Sequence, residues 1–134
     1  MTTQLPEYYF RVRENGAFAY RVDTNNRQRR IELKQIAAIN IRSGEVRPHG
    51  GQALSAGDKA AIGAWIAERK ALLAARDIDD ILRTVDHLNL TAHWAQSRAS
   101  DEDLDAVSDK LLLAMHDLRA VLVRRKAERL LGKE

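Results

Sequence analysis

Apolar and polar residues alternate one for one through much of the first fifty positions, then recur at three- and four-residue spacing to the end of the chain. The period changes near residue 52. Alternation is the mark of a half-buried strand and the longer spacing that of an amphipathic helix. In Tyr8–Arg13, the residues Tyr8, Phe10 and Val12 share one face, and Tyr9, Arg11 and Arg13 the other. Asn15-Gly16 follows, a hairpin signal because a type I′ turn needs positive φ at both central positions. Ala17–Asp23 alternates again, Phe18, Tyr20 and Val22 opposed to Ala17, Ala19 and Arg21. Thr24-Asn25-Asn26 marks a second turn, and Arg29–Lys34 a third strand with Ile31 and Leu33 inward. Ile36, Ile39 and Ile41 fit a bent strand or a single helical turn leading into one. Ser43-Gly44 is a tight turn, with Val46 on a short return strand ending at Pro48. Gly50-Gly51 separates a sheet half, 1–52, from a helical half, 53–134.

The helical half opens on Ser55-x-x-Asp58, a capping box. Apolar residues then recur at Ile62, Trp65, Ile66, Leu72 and Leu73, and again at Ile78, Ile81, Val85 and Leu88. An unbroken helix over 56–98 would be about 64 Å long. That is long for a compact domain of this size and predicts a break near Arg76–Asp77, with Asn89 the other candidate. Ser100-x-x-Asp103 is a second capping box, opening a helix over 101–131. Its seam of Leu104, Val107, Leu111, Ala114, Leu118 and Val121 is widened by Leu112, Met115 and Leu122. An antiparallel hairpin about this loop brings Val85 to Met115 and Leu88 to Leu112. A face apolar over more than one seam needs more than one partner. The sheet could supply the second partner, or a second copy of the chain could, making a four-helix bundle; the expectation is a homodimer built on Leu104, Val107, Leu111, Leu112, Met115, Leu118 and Leu122.

Composition narrows the class. The chain has 134 residues, 45% hydrophobic and 31% charged, which suits one globular domain, or a small one with an elongated appendage. There is no cysteine, which excludes disulfides, thiolate zinc sites and a thiol nucleophile. No run has the length of a membrane span or the form of a signal peptide. The expectation is a soluble, cytoplasmic protein with no membrane association. Net charge is +3, and its distribution says more than its sum. Residues 1–52 carry nine basic side chains against five acidic, and the remainder thirteen against fourteen.

That excess gives the first functional expectation. Arg11, Arg13 and Arg21 are expected opposite the aromatic face, joined by Arg30 and Lys34 and extended by the run Arg27-Gln28-Arg29-Arg30. Tyr9 adds a flat ring among the guanidiniums. A basic sheet face can enter the DNA major groove, and clustered cations bind phosphate through counterion release. An antiparallel sheet covered on one side must also show a polar face to water, and Glu32 dilutes the pattern. A sheet followed by a helix resembles small sheet-based DNA-binding domains only in outline, with no diagnostic residue of theirs.

Catalytic and metal chemistry find little support. His87, His93 and His116 stand beside Asp86 and Asp117 without the Glu-x-x-His pairing of a bundle di-metal site. Asp77, Asp79, Asp80 and Asp86 are scattered around a helix and suit capping and ion pairing. Pro48-His49-Gly50-Gly51 lacks a G-x-S-x-G partner, and no nucleotide-binding glycine motif occurs. No cofactor or metal is expected. An enzyme would require at least two of His49, His87, His93 and His116 to converge in one pocket.

The expected fold is α+β: an antiparallel sheet of three to five strands packed against two or three long helices that form an antiparallel hairpin. The leading functional expectation is a non-enzymatic, DNA-associated regulatory or accessory protein that contacts duplex DNA through the sheet and dimerises through its helices. The alternative is an adaptor or structural module that docks a protein partner and binds no nucleic acid.

Overall fold

The structure, a computed structural model, describes residues 5–25 and 30–132. Arg27 and Arg29 of the expected basic face, and Asn26 of the second turn, lie outside them. The fold is α+β. Four antiparallel strands, β1 (Tyr8–Arg13), β2 (Gly16–Asp23), β3 (Glu32–Asn40) and β4 (Val46–Pro48), form one sheet in the order β1-β2-β3-β4. Two long helices follow, α1 (Ala56–Ser97) and α2 (Asp101–Leu131). The chain divides into two compact units, 1–79 and 80–134.

In the first unit the opening turns of α1 cover one side of the sheet. Ala17, Ala19 and Ala37 occupy the middle of that side and are almost fully buried, and Ile62 is seated in the same cluster. Small side chains on the strands let the helix come close. Tyr8, Phe10, Val46, Leu54, Trp65, Ile66 and Leu73 close the margin. Phe10 and Trp65 stack with centroids 4.7 Å apart and planes 8° from parallel. Asp58 and Ser55 form the expected capping box: the Ser55 amide donates to Asp58 Oδ2 and the Asp58 amide to Ser55 Oγ.

Three expectations about the sheet are corrected. The first concerns Gly16. The β1–β2 loop is Glu14-Asn15, and Gly16 already pairs with Arg13. Its role is close approach to β3: a Cβ there would lie 2.0 Å from the Ile39 carbonyl oxygen. The second concerns sidedness. Register places Tyr8 opposite Arg21, Phe10 opposite Ala19 and Arg11 opposite Phe18, and directly paired residues share a side of the sheet. Arg21 therefore stands with Tyr8 and Phe10 under the helix. Phe18 and Tyr20 stand with Arg11 and Arg13 on the opposite side.

The third concerns β3. Ile31 and Leu33 are exposed, and the buried positions are Ile36, Ala37 and Ile39. A β-bulge accounts for two consecutive buried residues: Ala19 pairs with Ala37 and Tyr20 with Gln35, leaving Ile36 as the extra residue. The turn at Ser43-Gly44 forms as expected, with Gly44 at φ +76° and the Gly44 amide donating to the Asn40 carbonyl.

α1 has no break at Arg76–Asp77 or at Asn89; it is one helix of 42 residues, about 63 Å long. No proline or glycine interrupts it after Gly63. Thr84, Thr91 and Ser97 satisfy their hydroxyls on the carbonyls of Asp80, His87 and His93. The expected break assumed one compact body, whereas the helix contributes residues to both units.

The second unit is a helical hairpin. The amides of Arg98 and Ala99 both donate to the Trp94 carbonyl, ending α1. Ser100 and Asp103 then form a reciprocal capping box, with Asp101, Glu102 and Asp103 in the first turn of α2. Partial burial gathers at this turn, at Trp94, Ala95, Ala99, Leu104, Val107 and Leu111. Farther along both helices the apolar residues are exposed.

Candidate nucleic-acid interface and helical docking face

The side of the sheet away from α1 carries a ladder of rings and guanidiniums. The Arg11 guanidinium lies 4.9 Å from the Tyr20 ring centroid and that of Arg13 lies 5.3 Å from the Phe18 centroid. Tyr9 meets Tyr20 at 6.1 Å. Cross-strand pairing produces these contacts: Tyr9 faces Tyr20 directly across β1 and β2, and Arg11 and Arg13 each reach the ring diagonal to them. Cation–π attraction holds each guanidinium against a ring face while its edge stays in water. Tyr20 is buried beneath this layer, whereas Tyr9, Arg11 and Arg13 remain exposed. Arg47, placed opposite Ala38 on β4, pairs with Glu45 at 3.1 Å.

The expected basic face is thus smaller than its residue list. Arg21 and Lys34 pair with each other across β2 and β3 on the helix side, where both line a cavity of about 50 Å³ with His49 and Asp58. Arg30 is exposed just before β3. Of the described candidates, Tyr9, Arg11 and Arg13 are brought together. Arg21 and Lys34 are not among them.

Arg21 belongs to a different constellation, centred on Asp58. The Asp58 side chain is buried, and its Oδ1 accepts from the Tyr8 hydroxyl at 2.7 Å and from Arg21 Nη2 at 2.6 Å. Its Oδ2 is taken by the capping box. The Tyr8 hydrogen bond, followed by that from Arg21, holds the carboxyl well below the usual carboxylate range against the opposing effect of burial. The same contacts raise Tyr8 and Arg21 above their ordinary values. The node ties the start of α1 to β1 and β2, and both carboxylate oxygens are engaged. Sequence spacing shows the Ser55–Asp58 box but carries no signal for partners fifty and thirty-seven residues away.

Only one histidine lies near this node. His49 lines the small cavity beside Asp58, while His87, His93 and His116 are exposed on the helices. A groove of about 740 Å³ at one end of the sheet is lined by Glu14, Arg42, Lys70 and Asp77 with Ile41 and Leu73, and by no histidine. No cluster of three metal-ligating side chains occurs among the described residues. No described helix is long and apolar enough to cross a membrane.

The helical unit presents the larger exposed feature. No residue of α2 is buried. Leu112, Met115, Leu118 and Leu122 are each more than half exposed, and Ile81, Leu82 and Leu90 of α1 equally so. The expected dimerisation residues therefore divide: Leu104, Val107 and Leu111 are half-buried, whereas the other four are more than half exposed. No protein-family model, curated protein or solved structure matches this chain.

Proposed function

We propose that the protein is a non-enzymatic interaction module: a folded sheet unit carrying a helical surface that docks another helical element. The observation that carries this reading is α2, thirty-one residues long, with no buried residue and a continuous set of exposed leucines. Contiguous exposed apolar surface of this kind marks a site of protein association. A helix with so little tertiary cover is marginal in water on its own. Amide hydrogen exchange on the intact chain tests the reading. Docking predicts exchange over residues 112–131 slowed by about a hundredfold or more relative to unstructured peptide. Exchange at the unstructured rate would remove it.

A second reading is supported by the exposed, ring-supported guanidiniums of Arg11 and Arg13 beside Tyr9. In it this side of the sheet contacts duplex DNA through phosphate, with affinity falling steeply as salt rises. Arg11→Ala with Arg13→Ala should abolish binding and leave the Asp58 node intact. Arg21→Ala is no test, because it damages the fold. Absence of any measurable duplex affinity at low salt would end this reading.

A further inference from the structure

Charge along α2 is strongly polarised. Residues 101–109 contain five carboxylates and no cation. Residues 124–131 contain Arg124, Arg125, Lys126 and Arg129 against the single carboxylate Glu128. Between these ends lie the exposed Leu112, Met115, Leu118 and Leu122. A parallel pairing of two such helices would stack acid on acid and base on base. An antiparallel pairing brings each acidic end to a basic end and superimposes the apolar centres.

We propose that the occupant of this face is a second copy of the same chain, with α2 packed antiparallel against its counterpart about a two-fold axis near residues 116–117. This rests on the docking reading and specifies its partner. A two-fold interface must be self-complementary, and the α2 sequence meets that condition across its apolar centre, residues 111–122, and along the flank that carries Asp105 and Lys126. Heptad spacing places Leu104, Leu111 and Leu118 at one seam position and Met115 and Leu122 at the other. In the register centred on the exposed leucines, Met115 faces Leu118 of the second copy and Leu122 faces Leu111. Along one flank Asp105 faces Lys126, and Leu112 covers the stem of Arg119. Symmetry repeats every one of these pairs. On the other flank Ala114 meets Val121, small enough for close approach. Leu104 and Val107 stay with their own hairpin turn, where they are already half-buried.

The chain has no cysteine, so single introduced thiols report the arrangement directly. Leu111→Cys and Leu122→Cys chains are prepared separately, mixed and oxidised. In the proposed register the two thiols of a mixed pair adjoin. Identical chains hold theirs about 16 Å apart along the axis, beyond the reach of a disulfide. The mixture should give at least about fivefold more cross-linked dimer than either chain alone. Asp105→Lys should weaken association about tenfold, and adding Lys126→Asp should restore it to within about twofold. Equal cross-linking by a single chain with itself means a parallel pair and overturns the proposal. So does absence of cross-linking. Hydrogen exchange on the same samples separates this failure from the broader one: slow exchange over residues 112–131 without cross-links leaves docking standing with another occupant, while fast exchange removes both.

Discussion

The two units use apolar residues in opposite ways. In residues 1–79 the sheet and the first turns of α1 enclose every buried side chain of the described structure, from Ala17 to Ile62. In residues 80–134 leucine, isoleucine and valine are more frequent, yet none is buried. The first unit is held by its own core and by a polar node at Asp58. The second is held by helix capping, backbone hydrogen bonding and partial burial at one turn. Burial of a Leu side chain contributes about 1.5–3 kcal/mol, a gain that the first unit takes internally and that the second, on the docking proposed above, takes from another molecule. Substitutions should therefore separate cleanly: those in the first unit change folding, and those in the second change association.

The largest effect is expected at Asp58. Asp58→Ala removes the carboxylate half of the capping box, the bond from the Ser55 amide, and two hydrogen bonds from Tyr8 and Arg21. Half a capping box is worth about 1 kcal/mol and a hydrogen bond to a charged group about 1.5–3 kcal/mol. Arg21 is 43% exposed and can turn to water, which reduces its share. The net loss should be about 3 kcal/mol, measured by urea unfolding followed through Trp65 in a Trp94→Phe background. A carboxyl held low in the folded state stabilises fully above its unfolded value near 3.9 and loses that contribution as pH falls through the folded value. The parent chain should keep constant stability from this group between pH 7 and about 4 and lose it below. The Asp58→Ala chain should lack that acid-induced loss. Equal stability of the two chains at pH 7 would show the node to be ornamental.

Gly16 gives a smaller change in the same unit. A methyl group there meets the Ile39 carbonyl oxygen at 2.0 Å, so β2 or β3 must shift. Gly16 closes the register at one end of the strand pair, where a shift can be absorbed by local separation. Gly16→Ala should cost about 2 kcal/mol by the same unfolding assay. A loss under about 0.5 kcal/mol would return Gly16 to an ordinary turn role.

These two positions also show how much was legible in the chain. Alternation located β1 and β2, the Ser43-Gly44 turn located β4, and Ser-x-x-Asp located the start of both helices, because these signals are local. The side on which Arg21 stands was also legible in principle. A two-residue loop pairs residues whose numbers sum to an odd value, so Tyr8, Phe10 and Val12 must share a side with Ala17, Ala19 and Arg21. Grouping the aromatic residues together on hydrophobicity alone obscured this, since Phe18 and Tyr20 are covered by arginine guanidiniums and not by a helix. The bulge at Ile36 and the bonds from Tyr8 and Arg21 to Asp58 depend on tertiary contact, and no local pattern announces them. The continuity of α1 was concealed by the assumption of a single compact body.

The smallest effect on folding, and the sharpest separation of the units, is expected at Leu118. It is 52% exposed, and lysine matches leucine in helix propensity. Leu118→Lys should therefore change the folding stability of the dilute chain by under about 0.5 kcal/mol. In the first unit a lysine at a buried position such as Ile62, 1% exposed, would prevent folding. At concentrations where copies associate, the same Leu118→Lys chain should lose the concentration-dependent part of its thermal stability, because binding to the folded state alone is what raises that midpoint. Melting curves at two concentrations a hundredfold apart read both quantities together. A midpoint that moves with concentration in the parent chain and stays fixed in the variant assigns the leucine to a partner. A variant already destabilised at the lower concentration assigns it to the fold of its own unit, and the contrast between the two halves of the molecule would then be one of degree.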